Sequence, residues 1–454
     1  MALPVETSFI FTPFLTNAVS SRISNLRTCT IEQAFQLPEG SKVGLLGWVA
    51  VKNRVGGLIF FRLRDGTDFI QVTAKRSSLQ EDIWRALVEA KVESAVYVYG
   101  TIKDDPRAPG GKEVRLESFS VIAPSEEWPI TKSAIKSASF LYDNRHLALR
   151  GFKSTAIMKI RSELLRATFD YFFSRGYCYI QAPLIVQAAC EGGATLFPID
   201  YFGTEAYLSQ SAQLYEEAAI CSLEKVFIVQ PAFRAEKSRT SRHLTEFWMV
   251  EAEVAFAELE DIMKVEEELV HHILSHISEK REKELKMLSR KVRPPEPPFP
   301  RITYDEAREI AIKRGIEFEW GEDLPTEAEK AVSKEFDVPF FITGYPVTAR
   351  SFYHMPDPHD ERVTLSADLL APEGYGEIAT GGQRIHKYDL LYKKVLDFGL
   401  NPDSMKWYLE LRRYGMPPHS GFGIGVERVL RWALKLRHIR STTLFPRTPS
   451  RVYP

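Results

Sequence analysis

The chain has 454 residues, of which 44% are hydrophobic and 26% charged, and its formal net charge is −1. That composition belongs to an ordinary globular protein of two or three domains, at about 150 residues per domain, and excludes a collagenous or disordered chain. A near-neutral balance provides no global basic field, so any nucleic-acid contact must use a local patch.

From the N-terminus, MALPVETSFIFTPF lacks the basic start and long apolar run of a signal peptide. No stretch of about 18 apolar residues occurs, so no membrane span is expected. Cys29, Cys178, Cys190 and Cys221 form no CxxC pair, which predicts reduced thiols and a cytoplasmic protein. Residues 40–125 read as short strands (KVGLLGWVAV, GGLIFFRLRD, DFIQVTAK, SAVYVYGTIK) punctuated by Gly and Asp, with one polar helix, LQEDIWRALVEA. About five strands and one helix suit a small OB-fold barrel over 1–122, followed by a proline-containing hinge over 123–137. A larger unit then spans 138–454. Helical periodicity runs from Ser154 to Arg175, and strands alternate with loops to Phe256. A long charged helix extends from Glu258 towards Arg290, where RPPEPPFPRI stops it. The segment around 258–335 reads as a helical insertion, strands return from Phe340, and a last helix starts near Glu427.

Within the final strand, HSGFGIGVER places glycines at 421, 423 and 425. A dinucleotide-binding loop is excluded because only 29 residues follow Gly425, too few for a second strand carrying an acid about 20 residues on. Alternate residues of a strand share a face. The glycines therefore leave one face bare for a planar ring, while Phe422, Ile424 and Val426 pack inward and Arg428 begins the helix beside that floor.

GFGIGVER resembles the third signature of class II aminoacyl-tRNA synthetases. The second signature is matched by FRAEKSRTSRHLTEFWMVEAEVAF (233–256), and the first by RSELLRATFDYFFSRGYCYIQAP, ending at Pro183. An N-terminal barrel followed by RHLALR resembles the aspartyl/asparaginyl/lysyl subgroup. The fold this implies is α+β: an OB-fold β-barrel joined to a catalytic domain built on an antiparallel β-sheet flanked by helices. The activity it implies is ATP-dependent formation of an aminoacyl-adenylate and transfer to the terminal ribose of a tRNA.

By motif position, the resemblance implies that Arg234 bridges the α-phosphate and the amino-acid carboxylate, that Glu236 contacts the adenine or the acceptor end, and that His243 meets the γ-phosphate. Phe247 would cover one face of the adenine, and Arg428, over Gly423 and Gly425, the other. Asp368 and Glu377 fall where the subgroup places acids that bind Mg²⁺, a hard cation that takes oxygen ligands. Glu191, in CEGGATLF, would hold the substrate ammonium, with Ser211 and Gln213 nearby and Arg384 gripping the side-chain oxygen. The aspartate enzymes resemble QLYKQ where this chain has QLYEE, residues 213–217. An acid here repels a substrate carboxylate by about 4 kcal/mol at 4 Å and an effective dielectric of about 20. The asparagine enzymes resemble QLxxE, which implies asparagine as the substrate and favours Glu217 as the amide acceptor, with adjacent Glu216 as the alternative. In the barrel, Phe60 would stack the central anticodon base, with Arg54 and Gln71 at its edge. A homodimer follows from the first signature. An aspartate–tRNA ligase, an aspartate-amidating paralogue and a non-catalytic RNA-binding protein remain as alternatives.

Overall fold

A computed structural model describes residues 23–187, 195–237 and 240–454. The chain divides into two compact units, 1–140 and 141–454. In the first, β1 (Lys42–Val55), β2 (Leu58–Arg64), β3 (Phe69–Lys75), β4 (Ala95–Asp104) and β5 (Lys112–Ala123) close a barrel in the order β1-β2-β3-β5-β4. Strand alternation buries Ile59, Phe61 and Leu63 and turns Leu58, Phe60 and Arg62 outward. The helix Glu81–Glu89 contributes Trp84 and Leu87 to the same core. Lys52 donates from Nζ to the Leu87 and Val88 carbonyls at 3.2 and 3.0 Å, satisfying the helix C-terminus.

The second unit carries β6 (Cys178–Tyr179), β7 (Ile185–Val186), β8 (Pro198–Tyr201), β9 (Thr204–Leu208), β10 (Lys225–Phe233), β11 (Glu246–Ala255), β12 (Arg301–Thr303), β13 (Phe340–Thr343), β14 (Ser366–Ala371), β15 (Gly376–Gln383) and β16 (His419–Gly425). Among the described residues, eight of these form one sheet in the order β12-β13-β14-β15-β16-β11-β10-β6. Pairing is antiparallel through the middle and parallel at the β12/β13 and β6/β10 ends. Strands β7, β9 and β8 make a small separate sheet.

The main core joins the long helix Phe152–Ser174 (Ile160, Leu164, Tyr171, Phe172) and the helix Leu259–Lys280 (Ile262, Leu269, Ile273, Ile277) to sheet residues Phe227, Val250, Phe422 and Ile424. This corrects the reading of 258–335 as an insertion. The helix Leu259–Lys280 is part of the central core, and β12 extends the main sheet. Only the later portion, with the helices Tyr304–Lys313 and Thr326–Ser333, builds its own smaller core around Tyr304, Phe318 and Val332. Among the described residues no helix is long and apolar enough to cross a membrane.

Candidate active site

The second and third signature segments are neighbours in the sheet, and the long helix of the first packs against it. β11 lies between β10 and β16, and its acids stand opposite the glycines: Glu251 pairs with Gly423 and Glu253 with Gly421. A Cβ on Gly421 would lie 1.8 Å from Glu253 Oε2, so this glycine makes room for a buried carboxylate. One on Gly423 would meet Met249 Cε at 2.7 Å, and one on Gly425 would meet the Arg428 stem at 3.4 Å. The bare floor is therefore Gly423 and Gly425, with the Arg428 stem lying over it, whereas Gly421 serves Glu253. Phe422 and Ile424 pack into the core as the alternation predicts.

One carboxylate ties the three segments together. Glu427, 1% exposed, pairs with Arg161 of the long helix at 2.6 Å and accepts the Trp248 backbone N–H of β11 at 2.9 Å.

Above this floor lies a cavity of about 360 Å³. Its walls include Arg234, Glu236, His243, Phe247, Glu377, Gly423, Gly425 and Arg428, together with Ser211, Gln213 and Arg384. Arg234 and Glu236 extend from the end of β10, and the Arg234 guanidinium lies 5.6 Å from the centre of the Phe247 ring. His243 Nδ1 and Thr240 Oγ1 are hydrogen-bonded at 2.6 Å. Burial and the Arg428 and Arg242 charges push the His243 pKa down to about 4, so its imidazole is neutral at pH 7. Burial pushes Glu377 up, but Arg428, Arg242, Arg234 and Arg350 outweigh it and hold its carboxyl at about 2. Arg428 Nη1 donates to Glu377 Oε1 at 2.5 Å. Ser211 Oγ and the Ala212 N–H donate to Glu251 Oε2 at 2.5 and 2.9 Å. Arg384 is clamped by Glu253 at 3.1 Å. Burial opposes the Arg384 charge, and the Glu253 carboxylate beside it restores it.

Three expectations are corrected. Glu217 does not line the cavity. Its fully buried carboxylate accepts from Gln213 Nε2 at 3.0 Å, Tyr408 OH at 2.9 Å, His419 Nε2 at 3.0 Å and the Arg412 guanidinium. Its neighbour Glu216 faces the cavity instead, with Oε1 buried and without a hydrogen-bond partner among the described residues. Burial first, then Glu251 and Glu253, drive the Glu216 pKa well above the usual carboxylate range. Asp368, on β14, is likewise outside the cavity walls; Arg350 neutralises it at 2.5 Å. In the barrel, Arg54 pairs across the strands with buried Ile59, and its guanidinium turns to Trp84, 5.7 Å from the ring centre. Asn53, not Arg54, stands opposite outward-facing Phe60. Gln71 lies on that outer face beside Arg62 and donates to Glu113 at 2.9 Å. Glu191 lies outside the described residues.

Cavity residues that sequence reasoning missed include Gln210, Arg242, Glu251, Asp323, Arg350 and His354. Arg242 adjoins His243 within the second signature, and the period-two spacing of Glu251 and Glu253 was visible. Arg350 and Asp323 carried no local signal.

The fold and cavity define an ATP-dependent ligase core with an appended nucleic-acid-binding barrel. Residues 137–449 match the family of tRNA synthetases class II (D, K and N), and residues 33–122 match the OB-fold nucleic acid binding domain. The chain belongs to this class II synthetase family. Among individual proteins, it is 50% identical over 420 residues to the asparagine–tRNA ligase of Thermococcus kodakarensis, spanning 92% of this chain and 97% of that protein. The asparaginyl-tRNA synthetase of Pyrococcus horikoshii complexed with asparaginyl-adenylate is similar in structure, with TM-score 0.88 and 48% identity over 92% of this chain and 97% of that one. The Entamoeba histolytica asparaginyl-tRNA synthetase in complex with asparaginyl-adenylate gives TM-score 0.85 at 32% identity, covering 94% and 99%.

Proposed function

We propose that the protein activates asparagine with ATP to asparaginyl-adenylate and transfers the asparaginyl group to the 3′-terminal ribose of tRNA(Asn). The observation that carries the choice of amino acid is the acid-crowded wall of the cavity. Glu216 and Glu251 line it with Glu253 close behind, and burial together with these two neighbours raises the Glu216 pKa well above the usual carboxylate range, so a substrate carboxylate would add a further charge where negative charge is already disfavoured. An amide adds none. Its carbonyl can accept from Arg384, and its NH₂ can donate to the free oxygen of Glu216.

Activation is chiefly positioning and charge neutralisation. Arg234 bridges the α-phosphate and the amino-acid carboxylate as they approach. Phe247 and Arg428 sandwich the adenine over the glycine floor, Glu236 meets the adenine or acceptor end, and neutral His243 donates to the γ-phosphate. Glu191 and Gln213 complete the amino-acid site, with Ser211 held by Glu251. The oxygens of Glu377 suit a hard cation, and Asp323 beside the same cavity has its pKa raised to about 6 by burial, with the charges of Asp368, Glu377 and Glu329 adding to it. Glu377 would thus hold Mg²⁺, which would supply neutralisation of phosphate charge. Among the described residues no three His, Cys, Asp or Glu side chains form a ready ligand set, so ATP oxygens and water would complete it.

On the barrel, Phe60 offers a stacking surface for an anticodon base, with Gln71 and Asn53 flanking it. A homodimer is supported by Phe173, Leu223 and Phe256, exposed apolar side chains, and by the two-residue edge strand β6. The unpaired thiols of Cys29, Cys178 and Cys221 suit the cytoplasm. ATP–pyrophosphate exchange with each amino acid tests the function: exchange is expected with asparagine, and exchange supported by aspartate alone would overturn it.

A further inference from the structure

Glu329 lies on the helix Thr326–Ser333, in the part of the chain that builds its own small core away from the signatures. Its carboxylate nevertheless reaches the cavity wall. Oε2 and Oε1 accept from Arg242 Nη1 and Nη2, both at 2.6 Å, in a bidentate pair whose side chains are 9% and 8% exposed. Oε2 also accepts the Glu377 backbone N–H at 3.0 Å. One carboxylate thus fixes two walls of the cavity: the loop from β10 to β11 through Arg242, and the start of β15 through Glu377.

The sequence makes room for this arrangement. Gly376, at φ +77°, would place a Cβ 2.7 Å from Arg242 Nη1 and 2.9 Å from Glu329 Oε2. A surface ion pair would need neither the burial nor the cleared space, and would contribute little. A planar guanidinium gripped at both nitrogens has one orientation, so its ordering is complete before a ligand arrives. Arg242 precedes His243 in the chain and shares the cavity with it.

We propose that Glu329 is a positioning residue for ATP: it holds Arg242 and the Glu377 segment in the geometry that receives the triphosphate, and it touches neither substrate. The inference rests on the assignment of this cavity to ATP. A displacement of about 1 Å in a positioning group costs up to about 100-fold in rate. The test uses the full-length protein with E329Q and E329D, measuring kcat and KM for ATP and for asparagine in pyrophosphate exchange, and ATP binding by calorimetry. E329Q should lose about 10–100-fold in kcat/KM for ATP and bind ATP more weakly, with KM for asparagine nearly unchanged. E329D should recover part of the loss, and R242K combined with E329Q should be no worse than the worse single variant. Unchanged ATP parameters, or equal losses for both substrates, would overturn the proposal. If E329Q fails to fold, the same comparison is made on E329D, for which an ATP-selective loss is expected and equal losses would overturn. Absence of asparagine-dependent exchange in the unsubstituted protein would instead overturn the functional reading itself.

Discussion

Replacing Glu217 by glutamine removes one negative charge from a site where neither it nor Arg412 has any side-chain exposure. The carboxylate there satisfies donors from Gln213, Tyr408, His419 and Arg412. An amide keeps the shape but turns one acceptor into a donor and leaves the Arg412 charge uncompensated. Removing one partner of a buried pair costs about 3–5 kcal/mol. At roughly 2–4 °C per kcal/mol for a large domain, E217Q should lower Tm by about 6–20 °C by calorimetry or dye fluorescence. Arg412 and His419 hold the Glu217 carboxyl well below the usual range against its burial. A depressed folded pKa gives stability that is present at neutral pH and lost as pH falls below about 4, and E217Q should lose that acid sensitivity. The ratio of asparagine- to aspartate-dependent exchange should stay near its unsubstituted value, whereas E216K should lower it by at least about ten-fold, given about 4 kcal/mol per close charge pair. If E217Q melts within about 2 °C of the parent and collapses the asparagine preference, the reasoning that separates the two acids is refuted.

Three further outcomes are expected. His243, neutral because its pKa lies at about 4, should gain a proton-binding tendency next to a triphosphate. ATP binding near pH 5 should therefore take up protons, seen calorimetrically in buffers of different ionisation enthalpy and absent in H243Q; equal uptake in both proteins would count against it. F60A should weaken tRNA binding by about 1–3 kcal/mol in filter-binding titrations while exchange without tRNA is unchanged, and an unaltered Kd would remove Phe60 from the RNA face. Glu266 is completely buried with no partner for either oxygen among the described residues, and burial, with Asp368 next, raises its pKa well above normal. Such a group favours the folded state at low pH and opposes it as pH rises past the ordinary carboxylate value, so E266M should gain about 1–3 kcal/mol at pH 7, and a lower Tm there would contradict this.

The cavity was largely legible because its walls come from short motifs with fixed local geometry. Period-two alternation separated Phe60 from Phe61, one inside the barrel and one outside, and the resemblance chose Phe60 for the outer face, where it stands. Arg54 was placed at the edge of the stacked anticodon base by motif position alone, and the pairing of β1 with β2 sets it opposite buried Ile59 instead. The choice between Glu216 and Glu217 depended on how the helix Gln213–Leu223 is rotated. That rotation is set by Tyr408, Arg412 and His419, about 190–200 residues later in the chain, and adjacent helix positions differ by roughly 100°. Arg350 with Asp368 and Glu329 with Arg242 are likewise long-range pairs, and no spacing rule within one segment predicts them.

Glu427 joins the long helix and β11 through a single buried carboxylate. Arg161, Trp248 and Glu427 therefore constrain one another although they lie in three distant parts of the chain. A substitution tolerated in one segment depends on the residues present in the other two, so the signatures should drift as a set. Grafting one of them from a relative into this chain would carry over its letters but not its mechanical support, and a chimera that exchanges all three together has the better prospect of folding with an intact cavity.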